Sequence, residues 1–299
     1  MTEPTMDSFR QLLLRGRDLL RPALPKRWRG VPLVPVVRLA GVIGMSTPLK
    51  PGLTLVGLAR ALDRAFGMRK AKAVALVINS PGGSAAQSHL IFRRVRQLAE
   101  EKKLPVFAFV EDVAASGGYM LACAADEIVC DPSSIVGSIG VIGSSFGFNE
   151  AIGRIGVERR VYTAGEKKAM LDPFLPENPD DVAHLKALQR EIHETFIGLV
   201  KDRRTDRLTG PENTLFSGEY WSAKTALGYG LIDRLGDLRS FLRERYGEEV
   251  LTPLVSLERG LFGRRVPGVG PDELLQAPGL AENVISAIEA RALWARYGL

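Results

Sequence analysis

The chain has 299 residues, 45% of them apolar and 25% charged, which is enough to bury a substantial core in one large domain. Its formal charge of +6 is concentrated at the start, where residues 1–30 hold seven cations against three acids. The remainder is close to balanced, which argues against a nucleic-acid groove across the body.

No run of about 18 apolar residues marks a transmembrane helix. Arg15 and Arg17 cut short Leu12-Leu13-Leu14, so no secretory signal is expected. Phe9, Leu12, Leu13, Leu19 and Leu20 can share one face of a short basic helix, and residues 7–30 are the expected point of any peripheral contact with an anionic membrane. A solvated tail or an oligomer-contact helix is the alternative. From Val34 to Ile43 the chain reads as a buried strand, and from Leu53 to Phe66 as a helix with Leu55, Leu58, Leu62 and Phe66 on one face. Ala73–Ile78 is a short continuous apolar run, as expected of a central parallel strand covered on both faces. It ends in Asn79-Ser80-Pro81-Gly82-Gly83-Ser84, after which a helix runs to about Glu101. A strand at Leu104–Val110 then leads through Glu111 and Asp112 to Ser116-Gly117-Gly118 and a helix of small apolar residues, followed by a strand at Glu127–Cys130. Strands alternating with helices imply a parallel α/β sheet, with ligands beyond the carboxyl ends of the strands. Both Gly82-Gly83 and Ser116 fall at such ends.

Residues 131–148 read as irregular strand and turn, Phe148–Ile155 as a short helix and Glu158–Tyr162 as a strand. Residues 163–174 form a loop. A long helix follows from about Asp180 to Arg203, with Val182, Leu185, Leu188, Ile192, Phe196 and Val200 as its buried face. Two more helices span Ser222–Gly230 and Asp237–Tyr246, and an amphipathic helix runs from Ala281 to Tyr297. The expected division is a basic leader (1–30), a main domain (31–250) and a C-terminal extension (251–299). Cys123 and Cys130 sit in apolar surroundings as buried thiols, which suggests a reducing compartment and no disulfide framework. His89, His184 and His193 are expected in core or surface roles.

A serine where a strand meets a helix lies beside free backbone N–H groups that stabilise developing negative charge. A Ser-Gly-Gly at a helix start is more often a cap or a close-packing device. As a nucleophile Ser116 needs a base within reach, and no histidine is placed to be one. A lysine must be neutral to accept a proton. An exposed lysine titrates near about 10.4, so its free-base fraction at neutral pH is below about a thousandth, and apolar burial is needed to raise it. Lys168 lies among Ala169, Met170, Leu171 and Phe174, which suits that demand; Lys167 competes, and the residues alone do not choose between them. Fixed donors for an oxyanion are available at Gly82-Gly83 and at the N–H of Gly117.

The run Asn79-Ser80-Pro81-Gly82-Gly83, then Ala115-Ser116-Gly117-Gly118-Tyr119, then Gly137-Ser138-Ile139-Gly140-Val141-Ile142 resembles the signal peptide peptidase A family of serine proteases, peptidase family S49. The likeness continues through Gly165-x-x-Lys168 with Pro173-Phe174, through Trp221-Ser222-Ala223-Lys224, and through Gly230-Leu231-Ile232-Asp233, covering about residues 33 to 240. It implies the ClpP/crotonase-like α/β fold of parallel strands alternating with helices, with peripheral helices, and a Ser–Lys dyad. By this resemblance Ser116 is the nucleophile, Lys168 rather than Lys167 the base, Gly83 with Gly117 the oxyanion hole, and Ser138 the residue that holds the lysine in line. It implies endoproteolysis of extended apolar or membrane-derived peptides such as remnant signal peptides, a ring-like homo-oligomer, and no cofactor or metal. Many members carry an N-terminal membrane anchor, whereas here only the basic leader is read. The expected location is therefore cytoplasmic or peripheral on the inner membrane, with peptide or protein substrates and no nucleic acid. The competing readings are a crotonase-type acyl-CoA enzyme, which would need carboxylates such as Glu111 and Asp112 as acid and base, and a non-catalytic scaffold of the same fold.

Overall fold

A computed structural model describes residues 30–44, 52–255 and 280–299. The basic leader therefore lies outside the described residues. Five strands form the body of the sheet: β1 (Val36–Ala40), β2 (Val74–Ser80), β3 (Val106–Ala115), β4 (Glu127–Cys130) and, beyond two shorter strands, β7 (Arg234–Leu235). They lie in the order β1-β2-β3-β4-β7, all parallel. Helices α1 (Leu55–Gly67), α2 (Ala85–Lys102) and α3 (Gly117–Ala122) are spaced between the strands, as the alternating pattern requires.

The apolar runs of β2 and β3 are continuous because both faces are covered. Val106, Ala108 and Val110 enter one core with Leu58, Leu62 and Ile91, while Phe107 and Phe109 enter a second. There the Phe241 ring of α8 (Leu238–Tyr246; α4 to α7 follow below) meets them edge-on, at 5.1 and 5.5 Å between centroids. Thr54 and Ser84 accept N–H bonds at the starts of α1 and α2, which fixes where each helix begins.

Strand β3 does not stop at Val110, as its sequence suggests, but continues through Ala115. Glu111 and Asp112 are consecutive exposed residues in mid-strand. They mark the point where β3 leaves β4, and where its register against β2 shifts from Ile78↔Val110 to Ser80↔Ala114. Arg38 donates to Glu111 at 2.7 Å and Asn79 Nδ2 to Asp112 at 2.6 Å, so both acids have partners. The distal half of β3 then pairs with β5 (Ile135–Gly137), which pairs antiparallel with β6 (Tyr220–Ser222). Residues 131–148 thus contain one short strand inside otherwise irregular chain.

Two other expectations are corrected. Glu158–Tyr162 belongs to no strand and is exposed, with Tyr162 91% accessible; Arg159 pairs with Asp172 and Arg160 with Glu158. In the long helix α5 (Pro179–Arg204; α4 is Asn149–Arg154) only the last turns are buried, through Phe196, Leu199, Val200 and Arg204. Leu188 and Ile192 are each 43% exposed, because the first half of α5 extends past the sheet. Beyond α5 come α6 (Glu212–Leu215) and α7 (Ala223–Gly228), and α9 (Leu280–Ala295) lies in the C-terminal extension.

Arg204 is 1% exposed, and its guanidinium meets the Asp233 carboxylate through two bonds of 2.8 and 3.0 Å. Its Nε also donates to the Gly230 carbonyl at 2.9 Å. Asp233 accepts further from the Ile128 N–H and from Arg207. Tyr119 of α3 donates to Leu231 at 2.7 Å. These bonds tie the end of α5 and the Gly230–Asp233 turn to β4 and to the helix that Ser116 opens. Cys123 and Cys130 are free and buried here, and burial pushes the Cys123 thiol up to about 12. Neither is a nucleophile at neutral pH.

Candidate active site

Ser116 follows the last residue of β3 and adopts φ +52°, ψ −122°, a conformation that costs a non-glycine residue about 1–3 kcal/mol. The surroundings hold it there. Its N–H donates to the Gly137 carbonyl at 2.8 Å, and its own carbonyl accepts from the N–H groups of Tyr119 and Met120. The hydroxyl does not cap the helix it opens, so the cap reading fails. Since α3 has only six residues, its dipole contributes little; the fixed N–H groups of its first turn matter more.

Gly117 and Gly118 are needed for close approach. A methyl group on Gly117 would strike Ser88 Oγ, and one on Gly118 the Ser80 carbonyl. Both serines are buried: Ser88 donates to the Ser84 carbonyl at 2.8 Å, and Ser80 Oγ accepts from the Gly82 N–H at 3.2 Å. The sequence reading missed these two supports, although Ser84 and Ser88 stand one helical turn apart.

The Gly82-Gly83 turn lies directly against the serine. A Cβ on Gly82 would be 2.8 Å from the Ser116 Cβ and 2.9 Å from the Gly117 nitrogen, and both glycines have positive φ. On the other side Ile43 donates to the Gly82 carbonyl and accepts from the Ser84 N–H, each at 2.8 Å. That parallel bridge turns the N–H of Gly83 away from Ile43, toward the β3 side of the sheet. Gly83→Ala would drive a methyl into the Ile43 carbonyl at φ +140°. The expected result is a lower melting temperature and a loss of about 10²–10³-fold in the rate at which a fluorophosphonate labels Ser116; an unchanged labelling rate would separate Gly83 from the chemistry.

Ser138 is 6% exposed, has φ +54° and donates its N–H to the Glu219 carbonyl at 2.6 Å. It follows Gly137, whose carbonyl holds Ser116, so the backbone brings the two serines to one end of the sheet. Lys168 is on an exposed turn closed by the bond from its N–H to the Gly165 carbonyl. Among the described residues its side chain makes no hydrogen bond or ion pair, and none joins it to Ser116. The end of that loop is anchored: Phe174 stacks on Phe148 at 5.6 Å, and Phe148 donates to the Pro173 carbonyl at 2.6 Å. Asp172 accepts from the Phe174 N–H and from Arg159, and both hold its carboxyl below the ordinary value. His193 reaches the Ile139 carbonyl at 2.9 Å and His89 stacks on Phe92, so both have the structural roles expected of them.

Two proteins of Brucella abortus (strain 2308) and Brucella melitensis biotype 1, each named Na(+)/H(+) antiporter NhaA, are 54% identical over 288 residues. The match takes in 94% of this chain but only 39% of those longer proteins. A putative protease of Methanocaldococcus jannaschii is 34% identical over 200 residues, 64% of this chain and 63% of that one. The chloroplastic serine protease SPPA of Arabidopsis thaliana is 30% identical over 213 residues, 69% of this chain and 31% of its own length. Residues 98–248, which carry Ser116, Gly117, Ser138 and Lys168, match the family model described as Peptidase family S49, and the chain belongs to that family.

Proposed function

We propose that the chain is a serine endopeptidase in which Ser116 and Lys168 form the catalytic dyad. The observation that carries this is the strained Ser116 at the end of β3, its hydroxyl uncommitted to the helix and Gly82 packed against it. In the reaction the neutral Lys168 amine takes the Ser116 hydroxyl proton as Oγ bonds to the scissile carbonyl carbon. The N–H groups of Gly83 and Gly117 receive the resulting oxyanion. Collapse of the intermediate breaks the C–N bond, and the Lys168 ammonium returns the proton to the leaving amine. Water then repeats the sequence on the acyl-enzyme and releases the acid. Ser138 holds the lysine in line. The substrates are extended apolar or membrane-derived peptides, remnant signal peptides among them.

The lysine must be covered to act as a base, and in the single chain it is exposed. Phe146, Ile155, Val157 and Tyr162 are exposed as well. A second copy in a ring-like homo-oligomer, or the bound substrate, supplies that cover. Among the described residues no helix is long and apolar enough to cross a membrane; residues 7–30 are the proposed point of contact with an anionic membrane surface.

A fluorophosphonate probe tests the reading: it should label Ser116, and labelling should vanish in Lys168→Ala. Coenzyme A binding without labelling would point instead to an acyl-CoA enzyme.

A further inference from the structure

The distal half of β3 has two faces, and only one belongs to the main core. Ala114, Val136 and Trp221 lie side by side across β3, β5 and β6, and all three enter that core. The alternation of a strand sends Val113 and Ala115, with Ile135 of β5, to the other face. That face is closed by a separate small cluster whose remaining members are Trp294 and Tyr297, at the end of the C-terminal helix α9. Val113 and Ala115 are fully buried by this cover, and Tyr297 is itself 7% exposed. Tyr220, opposite Gly137 in the β5–β6 pair, meets the Tyr297 ring edge-on at 5.0 Å and donates through its hydroxyl to the Arg296 carbonyl at 3.0 Å.

Tyr297 thus shares a buried cluster with the residue immediately before Ser116 and meets the ring of the residue paired with Gly137. Those are the two segments joined by the bond from the Ser116 N–H to the Gly137 carbonyl. We infer that Tyr297, backed by Trp294, is a positioning residue for Ser116: it clamps β3 against β5 and keeps the serine in its left-handed conformation. Tyr297 lies outside the segment that matches the family model, which ends at residue 248. The inference rests on the reading of Ser116 as nucleophile for its kinetic consequence, but not for its structural one.

The test uses the full chain carrying Tyr297→Ala, Tyr297→Phe or Tyr220→Phe. Tyr297→Ala should lower kcat for an apolar fluorogenic peptide, and the rate of fluorophosphonate labelling, by about 10–100-fold, as expected for a displaced nucleophile. KM should change less than about twofold, because a displaced nucleophile is felt in the chemical step and not in ground-state binding. Tyr297→Phe should restore both rates. Hydrogen exchange at the Ser116 amide should quicken in Tyr297→Ala and return toward the original rate in Tyr297→Phe. If Tyr297→Ala is too unstable to assay, Tyr220→Phe, which loses only the bond to Arg296, should show the same changes at smaller size. Unchanged exchange at Ser116 in a folded Tyr297→Ala protein overturns the inference, whatever the activity. Quickened exchange in a protein that is neither labelled nor active before substitution would uphold the clamp and sink the peptidase reading.

Discussion

Ser116→Ala should abolish peptide hydrolysis, by about a million-fold where nucleophile and base act as a unit, and leave the melting temperature within about 1 °C. The hydroxyl makes no capping bond, and alanine bears the same backbone strain as serine at φ +52°, so no structural interaction is removed. Lys168→Ala should remove activity to a similar extent, again without loss of stability, because the side chain is exposed and unpaired among the described residues. Lys168→Arg should not rescue it, since a guanidinium does not give up its proton near neutral pH. Lys167→Ala should stay active. Hydrolysis of an apolar fluorogenic peptide and melting curves on the same preparations check all four. Turnover surviving in Lys168→Ala would remove the dyad; turnover lost in Lys167→Ala instead would move the base by one residue.

The parallel sheet was legible because its central strands are buried on both faces and their apolar runs are unbroken, as at Ala73–Ile78. Gly82, Gly83 and Ser116 could be placed together because parallel strands end on one edge. What could not be read depends on partners far along the chain. Glu111 and Asp112 resemble a strand end in sequence; that they sit inside a continuing strand follows from Ile135–Gly137 arriving beside Val113–Ala115. Glu158–Tyr162 has a plausible strand pattern but no edge to join. The apolar stripe of α5 promised a buried face throughout, yet periodicity does not tell how far a helix extends past the sheet. Likewise Trp294 and Tyr297 look like ordinary residues of an amphipathic helix until the uncovered face of β3 is seen. The position of Lys168 on an exposed turn separates a motif, which fixes spacing along the chain, from a site, which needs a covering surface.

Asp233→Asn should be strongly destabilising, and its effect should depend on pH. Arg204 is buried, and the asparagine would leave its charge without a counter-ion. Breaking such a pair costs about 3–5 kcal/mol, a large part of the roughly 5–15 kcal/mol that holds a domain together. The melting temperature should fall by about 10 °C, and activity with it, since the same turn holds Tyr119 at the Leu231 carbonyl. Burial pushes the Asp233 carboxyl up, but the Arg204 hydrogen bonds and charge, with the Ile128 N–H and Arg207, outweigh it and hold the group below its ordinary value. A carboxyl depressed in the folded state contributes stability that is present above its unfolded value of about 3.9 and is lost as pH falls through the folded value. The unsubstituted protein should therefore lose stability below about pH 4, and Asp233→Asn should show a shallower acid limb. Because the pair is also costly to desolvate, replacing both members by apolar residues, Arg204→Met with Asp233→Leu, should recover part of the loss that Asp233→Asn causes alone. Denaturant midpoints for the three proteins at about pH 7 and about pH 3, below the unfolded carboxyl value, decide the matter. A double variant no more stable than the single one would mean that the pair's bonds to Gly230 and Ile128, and not its charges, hold the turn in place.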